Sequence, residues 1–388
     1  MVIINIMKRK FNLSLLGFVL FYPLVIQANT GFMVPPAPVI AAPAYILQDF
    51  HSGETLMAKN ADERLEPASL TKLMTAYIIF QKLRANKIEL TEQVKISEAA
   101  WRMTGSRMYL EVGTSATVED LIQGMIIQSG NDASLALAEL VAGSETAFVS
   151  LMNQQAKQLG LTNTHYTNST GLPHEQHYST ARDLALMARR LIQDFPEYYR
   201  RWYSKREFTY NNITQPNRNQ LLWQDPTVDG IKTGYTASAG YCLIASAQRG
   251  NMRLIAVVLG TKNGKERIQG SKEMLDYGFR FFATYPLYKA KQPLTSERVW
   301  QGRVNQIQLG LSETLYVTLP KEQQSQLNAS IKVDRYLKAP IEAGKTYGTL
   351  KINLGEQVIA KRPLVALASV ESGHLWKKLT DSFLLLFY

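Results

Sequence analysis

The sequence contains a single cysteine, Cys242, among its 388 residues. One cysteine excludes an intrachain disulfide and any metal site built from several cysteine ligands. We expect Cys242 to be a small, buried, apolar side chain. The chain has no internal repeat and no low-complexity tract. Its 46% hydrophobic and 19% charged residues are typical of a globular protein, which excludes disordered, collagen-like and coiled-coil chains.

Positive charge is in excess, because 43 lysines and arginines face 32 aspartates and glutamates, a net charge of +11. Such a balance is typical of proteins that bind nucleic acid, a membrane surface or an anionic polymer. Residues 1–28 predict an export signal, with three basic residues before an uncharged apolar stretch and Ala28 at the cleavage point. An uncleaved anchor helix is the alternative. Without this segment the net charge is +8, and export argues against nucleic acid as a partner.

The remaining chain divides by texture into four parts. Residues 29–43 are rich in proline and alanine and predict an extended leader. Residues 44–285 predict one α/β domain, with strands at both ends and a helical block between them. Residues 290–368 show short alternating strands punctuated by glycine and proline, which predicts a small β-rich domain that acts as a spacer or interaction module. The last part, 370–388, predicts a helix.

The expected elements of the α/β domain follow from periodicity. Residues 45–58 predict a hairpin, and 241–259 predict two strands joined at Gly250-Asn251. Apolar residues at helical spacing predict helices over 72–83, 121–127, 134–141, 145–159, 181–192 and 265–282.

The C-terminal segment 370–388 carries an apolar stripe with Lys377 and Lys378 beside it. It is too short to cross a bilayer of about 30 Å. We expect an amphipathic helix that lies in the membrane interface, with both lysines near lipid phosphates and a hinge at 369–373. A terminal helix docked on the protein's own core is the alternative.

Three short motifs contain residue types that carry acyl-transfer chemistry, and each alone is weak. Ser69 and Lys72 lie one helical turn apart, so a lysine kept neutral by burial or a second cation could serve as the base for the serine. A capping serine with a solvated lysine is the alternative. Ser129-Gly130-Asn131 offers a hydroxyl and a carboxamide from one loop, or is a simple turn. Lys232-Thr233-Gly234 offers a carboxylate-binding pair, or is an exposed edge strand with a protective lysine.

Together and in this order, the motifs match the S-x-x-K, S-x-N and K-T-G set of penicillin-recognising serine enzymes. The sequence resembles the low-molecular-mass penicillin-binding proteins that are D-alanyl-D-alanine carboxypeptidases, of the penicillin-binding protein 5 type. The resemblance covers nearly all of residues 43–388. It implies an α/β (α+β) catalytic domain of the serine transpeptidase and β-lactamase type, followed by a small all-β domain and a C-terminal amphipathic helix.

The resemblance also implies roles for the motif residues. Ser69 is expected to be the nucleophile and Lys72 its general base. Ser129 is expected to pass a proton to the leaving D-alanine nitrogen, and Asn131 to hold the substrate amide.

The carboxylate end of the substrate is expected to meet the third motif. Lys232 and Thr233 bind the carboxylate, Lys232 also being the second cation beside Lys72, and Gly234 admits the substrate backbone. The N–H groups of Ser69 and Tyr235 form the oxyanion hole. Arg267 lies near the carboxylate site unless it is an ordinary surface residue, and Arg218 is a more distant supporting candidate.

The implied reaction removes the terminal D-alanine from peptidoglycan pentapeptide stems through an acyl-enzyme on Ser69, with no metal or organic cofactor. β-Lactam antibiotics are expected as covalent inhibitors. The expected location is the periplasmic face of the bacterial inner membrane, held through the C-terminal helix. A D-alanyl endopeptidase, a weak β-lactamase and an inactive cell-wall scaffold are the alternatives.

The sequence departs from the family pattern in three places. Tyr235 stands where the family often has histidine, which affects substrate selectivity and pH dependence. The loop at 99–108 is expected to line the entrance of the site and is shorter than in close relatives. No E-x-x-L-N segment lies between Asn131 and Lys232, which argues against efficient β-lactam hydrolysis.

Overall fold

The structure of the chain is a computed structural model that describes residues 34–334 and 336–387. Contacts divide the chain into residues 1–34 and residues 35–388, and the architecture below is that of the second unit. The expected export signal at 1–28, and the leader before residue 34, lie outside the described residues.

Strands occur in both halves of this unit. They are β1 (Ala44–Asp49), β2 (Thr55–Lys59), β3 (Gln93–Lys95), β4 (Ser115–Thr117), β5 (Glu207–Tyr210), β6 (Ile213–Pro216), β7 (Val228–Thr236), β8 (Gly240–Arg249), β9 (Met252–Thr261), β10 (Phe282–Tyr288), β11 (Pro293–Trp300), β12 (Gln306–Gly310), β13 (Leu315–Pro320), β14 (Leu327–Val333), β15 (Leu337–Lys338), β16 (Thr346–Leu354) and β17 (Gln357–Ala366).

Most helices lie in the first half. They are α1 (Lys72–Arg84), α2 (Glu98–Trp101), α3 (Val118–Gln123), α4 (Asn131–Ala142), α5 (Glu145–Leu159), α6 (Ala181–Asp194), α7 (Pro196–Trp202), α8 (Leu221–Gln224), α9 (Gly264–Phe281) and α10 (Leu375–Leu384). Short 3₁₀ turns cover Ala68–Thr71, Lys321–Gln326 and Leu385–Phe387, and a π turn covers Gly124–Gln128.

A five-stranded antiparallel sheet of order β2-β1-β9-β8-β7 forms the middle layer of the catalytic domain. Its inner strands are apolar at almost every position because both faces are covered. Ile255 and Val257 face the helical block, whereas Leu254 and Ala256 face α9. The hairpins expected at 45–58 and 241–259 are confirmed, and β7, which carries the third motif, is the edge strand.

The helical block agrees with the periodicity over most of its length. The helix expected at 145–159 has those bounds as α5, and α1 extends the one expected at 72–83 by a residue. The helix expected at 121–127 is different: α3 ends at Gln123 and a π turn follows. Ser129 follows this π turn with a left-handed φ of 66°, which redirects the chain at the second motif.

The β-rich domain has its own core around Leu309, Leu350 and Leu364. A six-stranded sheet of order β14-β16-β17-β12-β11-β15 surrounds it, together with the β10–β13 pair. Because β10 begins at Phe282 and pairs with β13, the chain enters this domain earlier than the boundary expected at 285–290. The junction with the catalytic domain is polar: Thr284 Oγ1 donates to Asp49 Oδ2 at 2.6 Å.

The C-terminal helix packs on the β domain through its polar side. The buried carboxylate of Asp381 accepts a hydrogen bond from the backbone N–H of Gln301 at 2.6 Å and pairs with Lys377 at 2.9 Å. The expected hinge at 369–373 is wrong, because Val370 and Gly373 are hydrogen-bonded to the β domain. The ammonium of Lys377 is held by Asp381, and the expected position of Lys377 and Lys378 near lipid phosphates stays a prediction.

The helix is docked on the protein, as in the alternative expectation, but the contact uses its polar side and its apolar stripe faces outward. The exposed side chains are Leu375, Trp376, Leu379, Phe383, Leu384, Leu386 and Phe387. In the part of the chain that the structure describes, no single helix has the length and apolar character needed to span a bilayer. Among these helices, only α4 and α5 taken together have that length and apolar character, and they are bent by 84° relative to each other.

Candidate active site

Ser69 and Lys72 meet at the junction between a 3₁₀ turn and α1. Ser69 lies in the turn Ala68–Thr71, and Lys72 is the first residue of α1. Side chains three residues apart eclipse one another in a 3₁₀ turn. The nitrogen Nζ of Lys72 accordingly lies 3.2 Å from Oγ of Ser69, within reach of a proton transfer.

The amine of Lys72 is held from three sides in a buried position. Besides Ser69, it contacts Oδ1 of Asn131 and the carbonyl oxygen of Thr170, both at 2.7 Å. Burial is the main reason why the pKa of Lys72 falls to about 7, and the positive charge of Arg218 lowers it further. The carboxylates of Asp132 and Glu145 oppose this shift. A large fraction of the amine is therefore neutral at neutral pH and able to accept a proton.

Ser129 and Asn131 enter the site from the start of α4. The hydroxyl of Ser129 is buried and has no hydrogen-bond partner among the described residues. Because a buried hydroxyl without a partner is costly, this oxygen is available for a substrate group. Asn131 uses its Oδ1 for Lys72 and donates from Nδ2 to the carbonyl of Thr104 at 2.6 Å. The expected binding of the substrate amide by Asn131 stays a prediction.

The third motif lies on edge strand β7 against the turn that carries Ser69. A Cβ atom on Gly234 would lie 3.0 Å from the carbonyl oxygen of Pro67 and 3.2 Å from Cβ of Ala68. The missing side chain therefore lets β7 approach the nucleophile turn. This contact adds a reason for the glycine beside the substrate approach expected from sequence.

Buried cations surround this strand. Lys232 is buried and donates to the carbonyl of Thr233 at 3.0 Å. Burial, followed by the charges of Lys72, Arg218 and Arg267, holds the pKa of Lys232 well below its usual range. The repulsion between Lys72 and Lys232 agrees with the expectation of a second cation beside the base, and Arg218 is a further cation that lowers the pKa of Lys72.

Arg267 reaches the same place from the first turn of α9. Asn263 caps this helix by accepting from the N–H of Glu266. The guanidinium of Arg267 donates to the carbonyl of Gly234 at 3.3 Å and lies over the ring of Tyr241. It is therefore part of the site's wall and not an ordinary surface residue.

These motifs line one cleft of about 560 Å³. Of the predicted residues, those that line it are Ser69, Ser129, Thr233, Gly234, Tyr235 and Arg267, while Lys72, Asn131 and Lys232 lie behind this wall. Tyr235 is 54% exposed at the rim and its ring packs on Tyr241 with centroids 4.3 Å apart. Sequence reasoning missed the ring of Tyr241 and ranked Arg218, which also lines the cleft, too low.

The loop at 99–108 lies at the site, as expected. The N–H of Asn131 donates to the carbonyl of Ser106 at 2.7 Å. The carboxylate of Asp132 accepts from the N–H groups of Met108 and Leu110. Asp132, Thr104 and Thr170 were not identified from sequence. Their signal is weak because most of these contacts use backbone groups, which every residue type has.

Two further observations concern cofactors and cysteine. Among the residues that the structure describes, no group of three or more histidine, cysteine, aspartate or glutamate side chains is placed to hold a metal ion. Cys242 is buried in β8, as expected, and burial raises the pKa of its thiol to about 11.

The site as a whole provides a serine nucleophile, a partly neutral amine base and a cationic pocket. This arrangement suits acyl transfer to a serine from a substrate with a carboxylate.

Comparison with known proteins agrees with this chemistry. Residues 32–263 match the family of D-alanyl-D-alanine carboxypeptidases, and residues 282–372 match the C-terminal domain of penicillin-binding protein 5. The chain is 45% identical over 360 residues to the D-alanyl-D-alanine carboxypeptidase DacC of Escherichia coli, which covers 91% of this chain and 90% of that protein.

Solved structures give the same result. Penicillin-binding protein 5 from Haemophilus influenzae is 41% identical and superposes with a TM-score of 0.83 over 87% of this chain and 99% of its own. Penicillin-binding protein D2 from Listeria monocytogenes, solved in an ampicillin-bound form, is 31% identical with a TM-score of 0.58 over 63% of this chain and 99% of its own. This chain belongs to the D-alanyl-D-alanine carboxypeptidase family of serine-type hydrolases and carries the C-terminal domain of penicillin-binding protein 5.

Proposed function

We propose that the enzyme removes the terminal D-alanine from peptidoglycan pentapeptide stems through an acyl-enzyme on Ser69. The observation that carries this proposal is the 3.2 Å contact between Ser69 and a buried lysine whose pKa is about 7. A neutral amine at this distance can take the hydroxyl proton as the serine oxygen attacks the carbonyl carbon.

Acylation then follows in two bond changes. The Ser69 oxygen bonds to the carbonyl carbon, and the N–H groups of Ser69 and Tyr235 stabilise the oxyanion. The bond to the D-alanine nitrogen breaks as Lys72 returns its proton through the unpartnered hydroxyl of Ser129. Arg267 and Lys232 hold the D-alanine carboxylate, whose negative charge favours the protonated form of the buried Lys232 amine, and Thr233 donates to it.

Deacylation reverses the roles. Water gives a proton to Lys72 and its oxygen bonds to the acyl carbon, while the Ser69 oxygen leaves and regains a proton. The two carboxylates that act on Lys72 are already engaged, since Asp132 accepts from backbone N–H groups and Glu145 accepts from Ser169. We therefore assign the hydrolytic base to Lys72, and we expect β-lactams to remain attached for long periods.

We also propose that the mature enzyme is exported and lies on the periplasmic face of the inner membrane, held by α10. The helix turns its polar side to the β domain and its apolar side outward. An exposed stripe with two aromatic rings near its end, Phe383 and Phe387, suits the boundary between lipid headgroups and acyl chains. We expect the partly exposed Lys378 of the same helix to extend toward lipid phosphates.

A labelling experiment tests the reaction. Fluorescent penicillin should attach covalently to the wild type and to Ser150→Ala, a control at an exposed serine on α5, and it should not attach to Ser69→Ala. The wild type should also release D-alanine from a soluble pentapeptide and act more slowly on a cross-linked dimer. Equal labelling of Ser69→Ala contradicts the nucleophile assignment. Faster cleavage of the dimer makes the enzyme an endopeptidase, and rapid release of hydrolysed penicillin makes it a β-lactamase.

A further inference from the structure

His177 lies behind the nucleophile turn and outside the cleft described above. Its side chain is buried, and Nε2 lies 2.8 Å from Oγ1 of Thr71. That hydroxyl in turn donates to the carbonyl oxygen of Ala68 at 2.8 Å. Two hydrogen bonds, through the hydroxyl of Thr71, therefore connect the imidazole of His177 to the residue before Ser69.

The directions of these hydrogen bonds follow from the donors present. The backbone N–H of Thr167 donates to Nδ1 of His177 at 3.2 Å, so Nδ1 is the unprotonated nitrogen. The ring proton is then on Nε2 and is donated to Thr71. Burial, with smaller effects from His165, His174 and Lys72, lowers the pKa of His177 to about 4, which keeps the ring neutral. Because Thr71 receives this proton, its own hydroxyl proton is directed to Ala68.

The carbonyl of Ala68 and the N–H of Ser69 belong to the same planar peptide unit. The unit is trans, so fixing the carbonyl on one side fixes the direction of the N–H on the other. Ala68 also has a left-handed φ of 47°, which a residue with a Cβ adopts only when its surroundings hold it there. Gly171 packs directly against this carbonyl.

We propose that His177 is a positioning residue which, through Thr71, aims the N–H of Ser69 at the oxyanion. This inference rests on the proposed function, in which that N–H is one of the two oxyanion donors. Removing a whole donor of this kind slows acyl transfer by about 100–1000-fold. Turning a donor away while leaving it in the site should cost less, about 10–100-fold.

The test compares rates of acylation by a fluorescent penicillin in the full-length enzyme. His177→Leu removes the proton donor, and Thr71→Val removes the hydroxyl while keeping the shape of the side chain. Each should lower the acylation rate constant by about 10–100-fold with little change in the dissociation constant of the noncovalent complex. The double variant should be no slower than Thr71→Val, because His177 acts only through that hydroxyl.

Rescue and a matched control separate positioning from folding. His177→Gln can place an amide N–H near Nε2 and should recover most of the rate. His165→Leu changes a neighbouring histidine that contacts the carbonyl of Gln176, and should acylate like the wild type. If His177→Leu does not fold in thermal denaturation, Thr71→Val and His177→Gln decide the result.

Each of the following results overturns the proposal. Multiplied losses in the double variant, or a wild-type rate in folded Thr71→Val, show that the contact does not position the donor. A slow His177→Gln whose fold is intact does the same. A wild type that penicillin does not acylate at Ser69 overturns the proposed function and this inference with it, whereas an acylated wild type with an equally fast His177→Leu overturns the positioning role alone.

Discussion

The side-chain oxygen Oδ1 of Asn131 lies 2.7 Å from Nζ of Lys72 and joins the first turn of α4 to the first turn of α1. The amide nitrogen of Asn131 is engaged by Thr104 on the opposite side. This carboxamide therefore has one orientation, and it presents an uncharged acceptor to the base. A neutral acceptor holds the amine in place without stabilising its protonated form as a carboxylate would.

Asn131→Asp tests this relationship. The substitution keeps an oxygen near Lys72 and adds a negative charge, which should raise the pKa of Lys72 by about 1–3 units. Less of the amine is then neutral at pH 7, so acylation should slow by at least about tenfold and recover as the pH rises. The measurement is the acylation rate from pH 6 to 9. A uniform loss at every pH would mean that Asn131 acts on the substrate and not on the base.

The acylation rate of the wild-type enzyme should itself fall at acid pH, and we call this part of its pH profile the acid limb. Because Lys72 has a lowered pKa of about 7 and must be neutral to accept the proton of Ser69, acylation should decrease as the pH falls below about 7, by nearly tenfold per unit well below it. Lys72→Arg, which stays charged, should be inactive throughout. The profile is measured with a soluble substrate under conditions where the fold is intact. A flat rate between pH 5 and 8 contradicts a lysine base.

Arg218 should set the position of that acid limb. Its charge lowers the pKa of Lys72, so Arg218→Gln should raise this pKa and move the limb to higher pH. The matched control is Arg206→Gln, an exposed arginine that lies over the ring of Trp223. The acid limb of this control variant should lie at the same pH as that of the wild type. A loss of affinity for substrate with an unmoved limb would restrict Arg218 to substrate binding.

Gly171 should tolerate no side chain. A Cβ atom there would lie 1.8 Å from the carbonyl oxygen of Ala68, and Gly171 also has a left-handed φ of 86°. Gly160→Ala is a matched control, because Gly160 has a φ of 78° with nothing within 4 Å of the added atom. The control should lose about 1–2 kcal/mol of stability from backbone strain alone. Gly171→Ala should lose more and should also acylate slowly. Equal denaturation midpoints and equal rates for the two variants would contradict a clash at Ala68.

The sequence predicts which side chains meet in this site. It does not predict the backbone groups that hold those side chains in place. Ser69 and Lys72 are fixed by local spacing, and Lys232 lies on a strand whose hairpin partner is recognisable. The carbonyls of Thr104 and Thr170 are not predictable in this way, since any residue type supplies a carbonyl and only the fold decides where it points. The effect of Arg218 on Lys72 likewise depends on distances that no spacing encodes.

The π turn before Ser129 shows the same limit. Apolar residues at 121–127 suit an uninterrupted helix, and because residues 124–127 are all buried, no polar position marks the extra residue of the π turn. In the C-terminal segment the sequence predicted the apolar stripe of the helix. It did not predict that the opposite, polar side of the helix docks on the β domain. This docking depends on Asp381 and Ser382 reaching the backbone N–H and the side chain of Gln301, which lies about 80 residues earlier in the chain.

Membrane attachment by α10 predicts a loss of binding when its exposed aromatic residues become polar. Trp376 and Phe383 are 79% and 63% exposed, and burying a large apolar side chain in lipid contributes about 1.5–3 kcal/mol. Trp376→Ser and Phe383→Ser should each weaken binding to vesicles that contain anionic phospholipid by about tenfold or more. Trp223→Ser, at an exposed tryptophan of the catalytic domain, is the control and should bind like the wild type.

Deletion of residues 373–388 separates the helix from the other segment that suits a membrane. The shortened enzyme should move from the membrane fraction to the soluble fraction of cells while keeping its activity on a soluble pentapeptide, because α10 contacts the β domain and not the cleft. Removing the helix also exposes the backbone N–H of Gln301, so a modest fall in the denaturation midpoint should accompany the release. If the shortened enzyme stays with the membrane, residues 1–28 anchor it as an uncleaved helix, and the apolar side of α10 is not the attachment surface.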